Sequence, residues 1–186
     1  MTSLSELPTN LPVPVDDGSC NHLNGMSLPD LSLASTKGGE VNISSLSGIT
    51  VIYIYPMTGR PDIPLPDGWD QIPGARGCTP QSCSFRDHYE ELSRLNATVY
   101  GLSTQSTSYQ QEAVERLHLP FALLSDEALK LVEALSLPTM EIEGKTLIKR
   151  TTLICNNCVV TKVFYPVFPP DQSANEVIKY LNEQNA

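Results

Sequence analysis

The run TVIYIY at residues 50–55, closed by Pro56, decides the fold. All six residues are β-branched or aromatic, so the run offers water no polar face. It predicts a strand buried on both sides of a sheet, as in α/β proteins whose helices cover both faces. Pro56 brings no N–H to a ladder and ends the strand.

Working outward, strand and helix patterns alternate towards the C-terminus. A strand is expected near residues 98–102, a helix near 108–117, a strand near 121–124 and a helix near 127–135. Two strands, near 147–154 and 159–164, and a last helix near 174–182 complete the pattern. Towards the N-terminus, apolar stretches at 31–33 and 41–43 flank Lys37, Gly38 and Gly39, a turn signal that predicts a small hairpin. Such an alternation, ending in a hairpin and a helix, fits an α/β sandwich of the thioredoxin kind, a central mixed sheet flanked by helices. With 186 residues the chain fits one domain, expected over residues 25–186. Residues 1–24, with three prolines and little periodicity, are expected to form an extended arm.

A formal net charge of −9 disfavours nucleic acid and anionic membrane, which both need a positive footprint. No apolar run approaches the ~20 residues of a membrane span. The N-terminus has neither the basic start and apolar core of a secretory signal nor the composition of a transit peptide, so a cytoplasmic location is expected by default. Five cysteines, an odd number, argue against a disulfide scaffold there and raise the question of which thiols react.

The segment GCTPQSCSFRDH, residues 77–88, answers that question. Phe85, Tyr89, Leu92 and Leu95 recur on one helical face, and Pro80 suits a first turn, where its missing N–H costs nothing. Cys78 is therefore expected at the helix N-terminus, beside open N–H groups and the positive end of the dipole, which favour the nucleophilic thiolate. Arg76 adds positive potential. The competing reading is a cysteine without a role. Between Pro56 and this helix, residues 57–77 carry Pro61, Pro64, Pro66, Pro73 and the single tryptophan, Trp69, and predict a long functional loop.

The YP strand end, the loop, and GCT followed three residues on by CSFRD together resemble the peroxiredoxin Q, or bacterioferritin comigratory protein, subgroup of peroxiredoxins. The resemblance runs from about Leu28 to the C-terminal helix and implies a peroxiredoxin-type thioredoxin fold. It also implies a thiol peroxidase for hydrogen peroxide and small organic hydroperoxides. Cys78 would be the peroxidatic cysteine, and Cys83 the resolving one that closes a disulfide with it. A thioredoxin or similar dithiol protein would be the reductant, in a monomer or weak homodimer with no cofactor and no metal. Pro56 matches the proline that shields the thiol, and Arg150 in KRTTLI matches the arginine that holds thiolate and peroxide. Two features depart from the subgroup. Ala75 stands where a Thr or Ser usually offers a hydroxyl, for which Thr58 is a substitute candidate, and the 57–77 loop is much longer than usual.

The remaining candidates are weaker. Cys155 and Cys158 form a CxxC between two strand runs, with Asn156 and Asn157 as a turn. A redox CxxC opens a helix instead, and no second pair completes a zinc site, so both read as structural. Cys20 reads as incidental, and His22 and His118 as surface residues. His88 stands ten positions from Cys78, about 15 Å along a helix, too far to act as its base. Two other classes stay open at this point. One is a thioredoxin-fold redox sensor or disulfide-transfer module without strong peroxidase activity, and the other is a cysteine hydrolase, for which no histidine is suitably spaced.

Overall fold

The computed structural model describes residues 4–185. Residues 1–3 of the expected arm and residue 186 of the expected domain lie outside the described residues. A seven-stranded mixed sheet forms the centre, in the order β2-β1-β5-β4-β3-β8-β9. The strands are β1 (Ser32–Ser35), β2 (Glu40–Asn42), β3 (Ile49–Ile54), β4 (Ala97–Ser103), β5 (Ala122–Ser125), β8 (Thr151–Asn156) and β9 (Val159–Phe164). In sequence between β5 and β8, β6 (Thr139–Ile142) and β7 (Lys145–Ile148) pair as a separate two-stranded sheet. The helices are α1 (Cys78–Asp87), α2 (Tyr89–Arg94), α3 (Thr107–Leu117), α4 (Lys130–Leu135) and α5 (Ser173–Asn185).

Strand β3 is the axis of the molecule, parallel to β4 on one side and antiparallel to β8 on the other. Its alternating side chains feed two cores. Val51 and Tyr53, with Tyr55 just beyond, pack with Phe85, Leu92, Ala113, Leu117 and Val177, contributed by α1, α2, α3 and α5. Ile52 and Ile54 point to the opposite core, with Leu102, Leu124, Leu131 and Leu135. Each such side chain contributes about 1.5–3 kcal/mol against exposure, so this strand alone anchors both layers. The ring of Tyr53 lies across β4 at Gly101. A Cβ there would come 2.7 Å from the Tyr53 hydroxyl and 2.4 Å from Leu123, so only glycine lets the ring pass.

The hairpin expected around Lys37 forms as β1 and β2, with Leu33 opposite Val41. The N-terminal segment lies against the second core, where Cys20 and Leu23 are buried. Three expected elements differ from those observed. The helix after Cys78 divides at His88, whose Nδ1 stands 2.9 Å from the Ser84 carbonyl oxygen and draws on an acceptor of the helical ladder. The helix expected from residue 127 starts at Lys130. Leu129 is in the left-handed region (φ 58°), and the buried Asp126 carboxylate accepts from the N–H groups of Leu131 and Val132, a cap that fixes the start there. The single strand expected over 147–154 divides at Lys149 and Arg150. Its first part pairs with the unexpected β6 through a turn at Glu143 and Gly144, both at positive φ.

The 57–77 segment carries one short 3₁₀ turn, Trp69–Gln71, and folds onto the β6–β7 hairpin. Trp69 is buried there with Ala75 and Leu147, and with the half-buried Met57, Leu65 and Met140. The Asp67 N–H donates to the Glu143 carboxylate at 3.2 Å, joining the loop to the hairpin turn. The second sheet is thus the support of the long loop.

Candidate active site

Cys78 is the first residue of α1, and Gly77 before it is the N-cap. Gly77 has φ 106° and no side chain to cap the first N–H groups, so these stay near the sulfur, and Pro80 at the third position has none to offer. A Cβ on Gly77 would stand 2.3 Å from Pro170, so glycine is required here by backbone conformation and by packing together. Cys78 itself is only 3% exposed. Its thiol donates to the Ala75 carbonyl at 3.6 Å.

Arg150 completes the first layer of the site. It sits in the link between β7 and β8, and its side chain reaches Cys78 Sγ, with Nη2 donating at 3.2 Å. The same nitrogen is within hydrogen-bond reach of the carbonyls of Gly74, Ala75 and Arg76 at 3.2, 3.0 and 3.1 Å. Nη1 donates to Gln81 Oε1. Gln81, fully buried, passes the contact on through Nε2 to Ser173 Oγ at 3.2 Å, at the start of α5. Among the described residues, no carboxylate is a hydrogen-bond partner of the buried Arg150 guanidinium. Buried cations require a compensating anion or dense hydrogen bonding, and here the facing groups are carbonyls, an amide oxygen and the Cys78 sulfur.

The other predicted residues fall at different distances from this centre. Pro56 stands two residues past the end of β3 and is buried. Among the described residues, Thr58 makes no hydrogen bond to the sulfur. Its hydroxyl donates to Gln105 Oε1 at 3.2 Å, its N–H donates to the same oxygen at 3.0 Å, and Gln105 Nε2 returns a bond to its carbonyl. Thr58 thereby fastens the start of the long loop to the β4–α3 connection. Arg76, buried, pairs with Asp70 at 3.3 Å. Cys83 lies in α1 half-buried at the edge of the first core, and burial pushes its thiol above the ordinary range, against a lowering effect of Arg86. Tyr53 and Tyr55 line the same core, and burial keeps both phenols neutral well above their ordinary range.

The CxxC stands where the β8–β9 hairpin turns, with Asn157 and Cys158 at positive φ. Burial pushes the Cys155 thiol up to about 12, and Cys158 beside it acts in the same direction. His88 caps α1, while His22 and His118 are exposed. Gln81, Ser173 and Gln105 belong to the site's support and carry no sequence signal of their own. Only the spacing of Gln81, one helical turn after Cys78, marks it as a neighbour of the thiol.

A Redoxin family model matches residues 23–178. The chloroplastic peroxiredoxin Q of Sedum lineare is 31% identical over 158 residues, 84% of this chain and 76% of that protein. The chloroplastic peroxiredoxin Q of Oryza sativa subsp. japonica is 30% identical over 158 residues, of which this chain spans 65% of the length. Among solved structures, peroxidoxin BcpB of Mycobacterium tuberculosis superposes with a TM-score of 0.70 at 24% identity, covering 86% of this chain and 96% of that one. Peroxiredoxin Q of Xanthomonas campestris gives 0.68 at 22% identity, covering 87% and 98%. The fold and these matches define the class as thiol-dependent peroxidases on a thioredoxin fold. Within that class, the chain belongs to the peroxiredoxin Q, or bacterioferritin comigratory protein, subgroup of the Redoxin family.

Proposed function

We propose that Cys78 is the peroxidatic cysteine of this thiol-dependent peroxidase, Cys83 its resolving cysteine and Arg150 the donor that aligns thiolate and peroxide. The observation that carries the reading is the 3.2 Å approach of Arg150 Nη2 to Cys78 Sγ at the N-terminus of α1. In the reaction the sulfur attacks the terminal peroxide oxygen and the O–O bond breaks. The leaving oxygen takes the proton that the thiol gave up, as water or an alcohol, and Cys78 becomes a sulfenic acid. Negative charge grows on the leaving oxygen, where a fixed guanidinium and helix N–H groups stabilise it without reorganising. The sulfenic acid then condenses with the Cys83 thiol, releasing water and forming a disulfide. A thioredoxin-like dithiol reduces that disulfide.

With Thr58 engaged by Gln105, the guanidinium and the backbone stand in for the missing hydroxyl at Ala75. Pro56 shields the thiol from the strand side. A monomer or weak homodimer accords with the small number of large apolar side chains exposed among the described residues, Val13, Val15, Ile63 and Val159. The test is Cys78→Ser, whose hydroxyl stays protonated. Hydrogen peroxide consumption with a thioredoxin system should vanish, and retained turnover would remove Cys78 from the centre.

A further inference from the structure

Residues 4–17 form neither helix nor strand, yet they are laid along the site. Three glycines beside the thiol receive them. A Cβ on Gly59 would stand 2.9 Å from Leu4, one on Gly77 2.9 Å from Leu7, and one on Gly74 3.5 Å from Pro14. Gly77 is the N-cap of α1, and the Gly74 carbonyl is a partner of Arg150. Leu4 also lines, with Met57, Leu65 and Trp69, the narrow crevice that ends on Cys78 and Thr79. Beyond Pro14 the segment is tied down. Asp17 pairs with Lys149, the neighbour of Arg150, at 3.0 Å and accepts from the Tyr165 hydroxyl at 2.9 Å. The two faces of the segment differ. Leu4, Leu7 and Pro14 are half-buried, whereas Val13 and Val15 are 64% and 80% exposed. The segment precedes the stretch that the Redoxin model matches.

We infer that residues 4–17 are a strap that gates Cys78: closed, it seals the crevice, and it lifts from the three glycines to admit a reactant. The inference rests on the peroxidase reading, because a gate has a purpose only at a thiol that reacts. Cys78 is 3% exposed, so the sulfur and a reactant in solution meet only when something moves. The other wall of the crevice is fastened, since Arg116 Nη2 donates to the Gly59 carbonyl at 2.9 Å and Trp69 is buried against Ala75 and Leu147. Moving α1 or β3 would break hydrogen-bond ladders and open a core. Lifting the strap costs only the half-burial of two leucines and one exposed ion pair, so the strap yields first.

The test is alkylation of Cys78 by iodoacetamide in the reduced 186-residue chain, followed across pH and assigned to Cys78 by mass spectrometry. The plateau of that profile reads access to the sulfur, and its midpoint reads ionisation. In Leu4→Ser/Leu7→Ser the plateau rate should rise roughly tenfold or more at an unchanged midpoint, because the seat on Gly59 and Gly77 is lost. Asp17→Ala, which frees the other end, should raise the plateau as well. Val15→Ser, on the outer face, should match wild type, and Leu4→Met/Leu7→Met should restore the slow rate. Hydrogen exchange of the β3 amides checks that each variant is folded. A plateau unchanged in both the double serine variant and Asp17→Ala, with hydrogen peroxide still consumed through Cys78, would overturn the gate and leave the peroxidase reading standing. An equal rise in Val15→Ser would also overturn it, since that side chain has no seat to lose. If wild type and variants alike consume no peroxide, the peroxidase reading fails and the gate falls with it.

Discussion

At the level of single side chains, the proposed chemistry rests on the 3.2 Å approach of Arg150 to Cys78. Arg150 is 3% exposed and spends its donors on carbonyls, Gln81 and the sulfur, so it is positioned before substrate arrives. Arg150→Ala should slow oxidation of Cys78 by roughly ten- to a thousandfold, a loss of about 1.4 to 4 kcal/mol of transition-state stabilisation. Stopped-flow tracking of Trp69 fluorescence after mixing with peroxide reads this directly, and an unchanged rate would make Arg150 structural only. The remote cysteines lead to a different expectation. Burial holds Cys155 at about 12 and Cys20 at about 11, against an ordinary 9.0. Both are raised on folding, so the native state keeps protons that the unfolded chain releases. Their contribution to stability is complete below about pH 9 and is lost as the pH climbs towards 11 and 12. Urea midpoints should therefore fall between pH 9 and 11, and Cys155→Val should make that fall shallower. An identical slope in the variant would show that Cys155 is not a source of it.

At the scale of elements, α1 holds both cysteines of the proposed pair in an unbroken helix, Cys78–Asp87, and both are free thiols. Residues five apart in a helix have Cα atoms about 8.7 Å apart, whereas a disulfide needs less than about 7 Å. The proposed resolution through Cys83 therefore requires the first turns of α1 to unwind. Amides from Thr79 to Arg86 should exchange faster with deuterium in the oxidised protein while β3 stays protected. Equal protection in both states, with the Cys78–Cys83 bond present by mass spectrometry, would overturn the pairing geometry. The helix was readable in the sequence because its apolar spacing and Pro80 agree, and β3 because all its positions suit burial. The interruptions were not. The division at His88 comes from a ring nitrogen meeting a carbonyl, and that at Lys149–Arg150 from β7 pairing with the neighbouring β6 while β8 pairs with β3, distant in sequence. Arg150 was legible only through resemblance, and the engagement of Thr58 by Gln105, 47 residues on, carries no local signal at all.

Across the whole molecule, helix α1 is bound to the fold from two directions. Phe85 stacks on Tyr53 of the central strand at 4.4 Å between centroids, and Gln81 bonds Ser173 while Pro170 closes against Gly77 at the entry to α5. Unwinding α1 loosens all three connections at once. A disulfide between residues so close in sequence constrains the unfolded chain by only about 2 kcal/mol. Against it stands the loss of Phe85 burial, about 1.5–3 kcal/mol, together with helical hydrogen bonds and the ordered contacts to α5. The balance favours the reduced form. Oxidised protein should unfold at lower urea than reduced protein at the same pH, and amides near Ser173 should lose protection together with those of α1. Cys83→Ser, which cannot form the bond, should match the reduced wild type before and after exposure to one equivalent of peroxide, apart from the effect of the sulfenic acid. A higher urea midpoint for the disulfide form would mean that α1 closes the bond without giving up its packing on Tyr53 and α5, and that the helix does not unwind as this geometry requires.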